Sequence, residues 1–328
     1  ARWCCAVVVA ARRCLLRAAA RCNRAWLVGP RANDGYHPVA TVLQTLGRCD
    51  LLYARLANPG EQLADGRDRA EELLQLRVDG AELSPDNTVR RAVSAMAAEA
   101  RDHGVEPLPL AMRLVKRIPL GAGLGGGSSD AVAAMAVCSR LWRLETSRLE
   151  QSGALQRIAE QIGSDVPFFL HGGTALGTGR GTRVELLDPL AATWFVVAAP
   201  PLQVSTPAAY SAFDRDLGAK GAFSVPVVPA YEPVFGGGWM GNDLSAAVAG
   251  VHPEVDAARR QLAEVGGDYA QMTGSGAASF AGFGDRRAAT RAARRLRGRG
   301  LWAGAFISIT GNAHRRSIFG HVSTLTSS

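Results

Sequence analysis

The stretch Pro119-Leu120-Gly121-Ala122-Gly123-Leu124-Gly125-Gly126-Gly127-Ser128-Ser129-Asp130 holds five glycines and two hydroxyls, and an Ala-rich, helix-forming segment follows it to about Trp142. Glycines without a Cβ let backbone amides converge, and a helix N-terminus behind them carries about half a positive charge. That suits the cradling of a polyphosphate, whereas a lone Gly-x-Gly would only permit a tight turn. Gly121-x-Gly123-x-x-Gly126 also fits the dinucleotide-binding spacing, but the acid that should end a second strand falls at Glu145, at the end of a helical segment. No Lys follows the glycines, so the loop is not of the Walker type. Lys116 precedes them, as either a compact ammonium for phosphate or a solvated strand-end charge. Asp165, before Val166-Pro167, is a carboxylate whose direction an extended backbone at the proline would fix; standing alone it would read as a helix cap or turn. Asp34-Gly35-Tyr36-His37 offers an aromatic face and a ring nitrogen to a nucleobase, or else a surface turn.

Regular elements must hold these groups. From Asn87, apolar residues Val89, Ala92, Val93, Met96 and Ala97 mark an amphipathic helix ending at Gly104. Leu108 to Val115 alternates as a strand, so strand, glycine loop and helix follow in order. Short strands are expected at Val184 to Leu187 and Trp194 to Ala198, and a long Gly- and Pro-rich surface loop over 214–240. The last third alternates helix (253–265), a strand, the loop Thr273-Gly274-Ser275-Gly276, strand (277–283), helix (286–297) and strand (301–309), which implies a second α+β domain. The expected division is 1–170 for the phosphate-loop and catalytic domain, with 1–19 an atypical lead, then 171–312, then a polar tail over 313–328.

The chain has 328 residues, enough for two domains at about 150 each. Hydrophobic residues make up 47 % and charged residues 20 %, a globular balance that excludes disorder, collagen and coiled coil. The first apolar run, Trp3 to Ala11, is far short of the ~20 residues of a membrane span. Basic residues outnumber acidic ones by 37 to 29, but only Lys116 and Lys220 are lysines, so the excess is a chain-wide arginine bias. No stretch interleaves basic and aromatic residues, and no nucleic-acid or membrane partner is expected. The six cysteines form no C-x-x-C pair, which argues against zinc and disulfides and for a reducing, cytoplasmic setting. Residues 1–33 hold seven arginines, no serine and no acid; an atypical first strand with a short lead fits better than a transit segment, which should be Ser-rich.

Taken together, five motifs resemble the superfamily of galactokinase, homoserine kinase, mevalonate kinase and phosphomevalonate kinase. They are the glycine loop, Asp34-Gly35-Tyr36-His37 with Thr41 and Gln44, Gly163 to Phe169, Asn242-Asp243-Leu244, and Thr273 to Gly276, in order over about 20–310. The extra glycine of the loop is similar to the branch that phosphorylates 4-diphosphocytidyl-2-C-methyl-D-erythritol. The resemblance implies a two-domain α+β kinase with its site in the interdomain cleft. Its cofactors would be ATP and Mg2+, the ion held mainly through ATP with Ser128 or Ser129 within reach. Asp165 would be the base that deprotonates the acceptor hydroxyl. Pro119 to Ser129, Asn87 and Lys116 would take the nucleotide, the last two lining its adenine pocket. Asn23, Asp34, Gly35, Tyr36, His37, Thr178 and Gly179 would take the alcohol, the enzyme acting as a monomer or weak homodimer.

One position departs from the pattern. The superfamily branch places a lysine where Arg21 stands, 13 residues before Asp34, and Arg24 lies on a strand that should be apolar. Arginine keeps the charge in a wider, differently hydrated group, so the expectation is reduced but real activity. The alternatives are a sister kinase for mevalonate or homoserine, a nucleotide-binding pseudokinase, and a nicotinamide dehydrogenase.

Overall fold

The structure is a computed structural model and describes residues 9–10, 13–57, 73–82, 84–189, 191–220 and 241–320. The chain runs β1 (Val9–Ala10), β2 (Arg13–Val28), β3 (Val39–Leu56), β4 (Leu74–Asp79), α1 (Thr88–Asp102), β5 (Leu110–Val115), α2 (Gly126–Leu141), α3 (Thr146–Gln151), α4 (Ala154–Ile162), α5 (Val166–His171), β6 (Thr174–Gly179) and β7 (Arg183–Leu186). It continues β8 (Trp194–Ala199), α6 (Thr206–Lys220), β9 (Gly241–Asn242), α7 (Ser245–Val251), α8 (Pro253–Glu264), β10 (Asp268–Met272), β11 (Ser279–Phe283), α9 (Arg286–Arg297), β12 (Trp302–Ile307) and α10 (Gly311–Phe319).

The first sheet is ordered β1-β2-β3-β5-β4, with β6 and β7 continuing from the other half of β3 and β9 lying parallel to β2. It is mostly antiparallel, which rules out the doubly wound parallel sheet that a dinucleotide-binding reading of the loop requires. Alternation along β2 puts Cys14, Leu16 and Ala18 into the core beneath α2. α2 is buried from Ser129 through Ser139, so alanine is the side chain that lets it lie close to the strands and to α1. The second sheet, β10-β11-β8-β12, is wholly antiparallel and packs against α8 and α9. A further apolar cluster binds the halves together: Ala20, Cys22 and Leu46 of the first sheet meet Phe195, Val197 and Phe280 of the second, with Ala122 and Leu124 of the glycine loop between them.

Three boundaries differ from the sequence reading. β6 and β7 return to the first sheet, so the second sheet starts at Trp194 rather than directly after 170. α6 runs to Lys220, carrying helix into the segment expected to be loop from 214, while 221–240 lies outside the described residues. The expected polar tail opens instead as α10, with His314, Ser317 and Ile318 buried. The burial of these side chains against α2 and α5 supplies what a tail lacks; residues 321–328 lie outside the described residues, as do 1–8 and 11–12 of the expected lead. From Arg13 onward that lead is regular strand.

Candidate active site

Two irregularities in the β2/β3 pairing bracket Arg21, one between Ala19 and Ala20 and one between Asn23 and Ala25. Bulges of this kind re-aim side chains beside functional sites. The second one falls at Arg24, between Asn23, which pairs with Leu43, and Ala25, which pairs with Val42. Arg21, only 5 % exposed, sends Nη2 to Asp165 Oδ2 at 2.5 Å and Nη1 to the Gly123 carbonyl. Its own backbone N–H donates to the Leu124 carbonyl at 2.9 Å. Asp165 keeps 22 % of its side chain exposed, so the pair is anchored on the arginine side and open on the carboxylate side.

Asp165 stands at the N-cap of α5 with helical backbone (φ −86°, ψ −11°) and makes no capping hydrogen bond. The expected extended backbone is therefore not found: Pro167 occupies the first helical turn, where a missing N–H costs nothing. Phe168 and Phe169 follow as fully buried anchors, each stabilising by roughly 2–3 kcal/mol relative to exposure.

The glycine loop is fixed from behind by the Thr273 to Gly276 loop. Ala278 N–H donates to the Ala122 carbonyl at 3.1 Å, and Thr273 Oγ1 donates to the Gly123 carbonyl at 3.2 Å. Gly123 (φ +67°) has no room for a Cβ, which would lie 2.3 Å from the Thr273 carbonyl oxygen. Gly125 (φ +68°) precedes the first turn of α2, and a Cβ there would meet Arg21 and Phe169 at 2.9 Å. Asn23 ties in the same loop, its backbone N–H donating to Thr273 Oγ1 at 2.9 Å while its Nδ2 donates to Thr41 Oγ1 at 2.8 Å. Ser128 is half-buried in the first turn of α2, and the Ser129 hydroxyl is buried with no hydrogen-bond partner among the described residues.

Lys116 and Asn87 both engage protein partners around the loop. The Lys116 ammonium is buried beneath the loop, 2.5 Å from Asp50 Oδ2 and 2.6 Å from Asp130 Oδ2. Burial works against this ammonium, but the Asp130 and Asp50 carboxylates outweigh it and hold its pKa above the usual value; burial pushes the Asp130 carboxyl up. Asp50 Oδ1 also accepts the Arg117 and Ile118 N–H groups, so the triad fixes the entry to the glycine loop. Asn87 caps α1, its Oδ1 accepting from Val89 N–H at 2.9 Å, and Thr88 Oγ1 donates to the Gly127 carbonyl.

The Asp34 to His37 motif lies beside β6, where Thr178 and Gly179 pair with Ala40 and Val39. Asp34 Oδ1 closes the turn on Tyr36 N–H, and Arg180 bonds Asp34 at 2.8 Å while lying 3.9 Å over the Tyr36 ring. That bond with Arg180 holds the Asp34 carboxyl below its usual range. Tyr36 is 57 % exposed, whereas His37 is buried, with Nδ1 donating to the Gly29 carbonyl at 2.8 Å and Nε2 2.9 Å from Asp214 Oδ1. The His37 ring stacks on Tyr210 of α6. Tyr210, Asp214 and Asp50 are the neighbours that sequence reading missed: Asp214 fell in the expected loop, and the other two carry no spacing signal.

This constellation, a glycine cradle at a helix N-terminus facing a carboxylate–cation pair between two sheets, defines a small-molecule kinase of the two-domain α+β class. Residues 87–173 match the pattern of the GHMP kinases N terminal domain and 237–300 that of the GHMP kinases C terminal. A 4-diphosphocytidyl-2-C-methyl-D-erythritol kinase from Pelotomaculum thermopropionicum is 37 % identical over 80 % of this chain and 87 % of its own. One from Salinispora arenicola is 39 % identical over 80 % of each. A crystal structure of 4-(cytidine 5'-diphospho)-2C-methyl-D-erythritol kinase superposes with TM-score 0.69 at 29 % identity, covering 90 % of this chain and 98 % of that one. Mevalonate kinase from L. major, at 14 % identity, shares the fold with TM-score 0.60 over 90 % of this chain and 96 % of that one. The chain belongs to the 4-diphosphocytidyl-2-C-methyl-D-erythritol kinase family.

Proposed function

We propose that the chain transfers the γ-phosphoryl group of ATP to the 2-hydroxyl of 4-diphosphocytidyl-2-C-methyl-D-erythritol. The observation that carries this reading is the Arg21–Asp165 pair set beside Gly123 of the glycine loop. Asp165 accepts the hydroxyl proton as the alkoxide oxygen bonds to Pγ; the Pγ–O bond to the β-phosphate breaks and ADP leaves. Arg21, always cationic, holds the carboxylate in one orientation and places positive charge beside the loop. Backbone N–H groups at the start of α2 receive phosphate oxygens.

Among the described residues no three His, Cys, Asp or Glu side chains cluster as a cage. The residues fit an ion that travels with the triphosphate, Ser128 being the hydroxyl at the helix start that would join it. Bound there, Mg2+ supplies charge neutralisation at the phosphate oxygens.

Tyr36 and His37 would receive the cytosine, the base taking the face of Tyr36 now covered by Arg180. Thr178 and Gly179, paired alongside, would border the same site. Both substrates are water-soluble anions, which supports a cytoplasmic reaction.

Incubation with MgATP and a panel of alcohols, followed by phosphorus NMR, tests the assignment. A new phosphomonoester is expected from the cytidine diphosphate substrate and none from mevalonate or homoserine; the reverse pattern would mark a sister kinase.

A further inference from the structure

Helix α5 carries Asp165 at its start and has six residues, too few to be stable without tertiary support. Its N-cap gives it none, because the Asp165 carboxylate is committed to Arg21. The carbonyls of its last turn have no partner within the helix. Phe168 O is met by Gly172 N–H at 2.8 Å; the next two are met from α10, far along the chain. His314 Nε2 donates to the Phe169 carbonyl at 2.7 Å, and Arg315 Nη1 to the Leu170 carbonyl at 3.1 Å.

These donors are themselves fixed. Arg315 Nη2 bonds Glu150 Oε1 of α3 at 2.7 Å. His314 is fully buried, and its ring fills the space where a Cβ on Gly172 would lie 2.3 Å away. A carbonyl only accepts, so Nε2 carries the hydrogen and the other ring nitrogen is bare. The Phe169 ring in turn bears on Gly125 and therefore on the mouth of the glycine loop.

We propose that His314 and Arg315 are positioning residues, and that α10 caps the free carbonyls of α5 and so holds Asp165 against Arg21. This rests on the reading of Asp165 as the base.

The test uses the full chain with His314→Ala, His314→Gln and Arg315→Met. Turnover is expressed per nucleotide-binding site counted by calorimetry, which removes unfolded molecules from the comparison. Hydrogen exchange of the amides over 163–172 is followed beside that of α2. His314→Ala is expected to lower kcat per site by about tenfold to a hundredfold, with KM for ATP within about twofold of wild type. Exchange should quicken over 163–172 and not in α2, and Gln, which restores a donor, should recover most of the loss. Arg315→Met should give a smaller effect of the same kind. Unchanged kcat per site in the Ala variant, exchange that quickens across the whole chain, or a Gln variant as impaired as Ala would each overturn the proposal. If wild type itself does not turn over, the reading of Asp165 fails, while the exchange pattern still decides whether α10 fixes α5.

Discussion

Arg21 Nη2 lies 2.5 Å from Asp165 Oδ2 while Nη1 of the same guanidinium donates to the Gly123 carbonyl, so one side chain joins the carboxylate to the phosphate loop. Both terminal nitrogens are thereby engaged, and the buried Nε has no hydrogen-bond partner among the described residues. A lysine would present three rotatable donors at one point and could serve carboxylate, loop and phosphate together. Arg21→Lys is therefore expected to raise kcat several-fold, and Arg21→Met to lower it by roughly 100-fold. Steady-state kinetics decide: no gain in the lysine variant means that the arginine is no handicap.

Gly123→Ala should damage nucleotide binding through geometry alone. The new methyl would sit 2.3 Å from the Thr273 carbonyl oxygen at a φ of +67°. The loop must move or the Thr273 loop must yield, at a cost of about 1–3 kcal/mol. Calorimetric titration with ATP should show the affinity fall by tenfold or more, and wild-type affinity would show that the loop has slack.

The Lys116 triad makes a separate claim about stability. Removing the ammonium leaves Asp50 and Asp130 buried together without their shared cation, and Lys116→Met should cost about 3–5 kcal/mol. Asp130→Asn removes one buried charge but keeps a group able to meet Lys116, so it should cost less than about 1.5 kcal/mol. Denaturant unfolding separates the two. A stable Lys116→Met protein with weakened ATP binding would instead return Lys116 to the nucleotide pocket.

Acid should unfold the protein partly through His314. Burial, ahead of the opposing Phe169 hydrogen bond and the nearby Arg315 and His171 charges, pushes its pKa from 6.5 down to about 4. The unfolded chain then binds a proton that the native one refuses between those values. Its contribution is fully present above pH ~6.5 and is lost as pH falls towards 4, amounting to roughly 3 kcal/mol. His171, also held low by burial, acts in the same direction. Thermal melts from pH 4 to 7 should fall less steeply for His314→Gln than for wild type; parallel curves would remove His314 from the acid response.

Much of this was legible in local pattern. The helix from Asn87, the strand to Val115 and the helix after the glycines follow from periodicity and turn chemistry that each segment carries by itself. Arg21 could be singled out because the resemblance implies a lysine 13 residues before Asp34, the position where Arg21 stands. Lys116 could not be placed, because its partners, Asp50 and Asp130, lie 66 and 14 residues away and meet it only through the sheet. Likewise the tail reading of 313–328 followed from its polar composition, yet His314 and Arg315 are polar because they satisfy carbonyls on α5.

The most direct measurement is coupled ADP release by the purified chain with MgATP and 4-diphosphocytidyl-2-C-methyl-D-erythritol, beside Asp165→Asn. Wild type should turn over, and the variant should fold, bind ATP and lose about 100-fold to 10,000-fold in kcat. Equal rates in the two proteins, or no turnover from a wild type that binds ATP, would contradict the account.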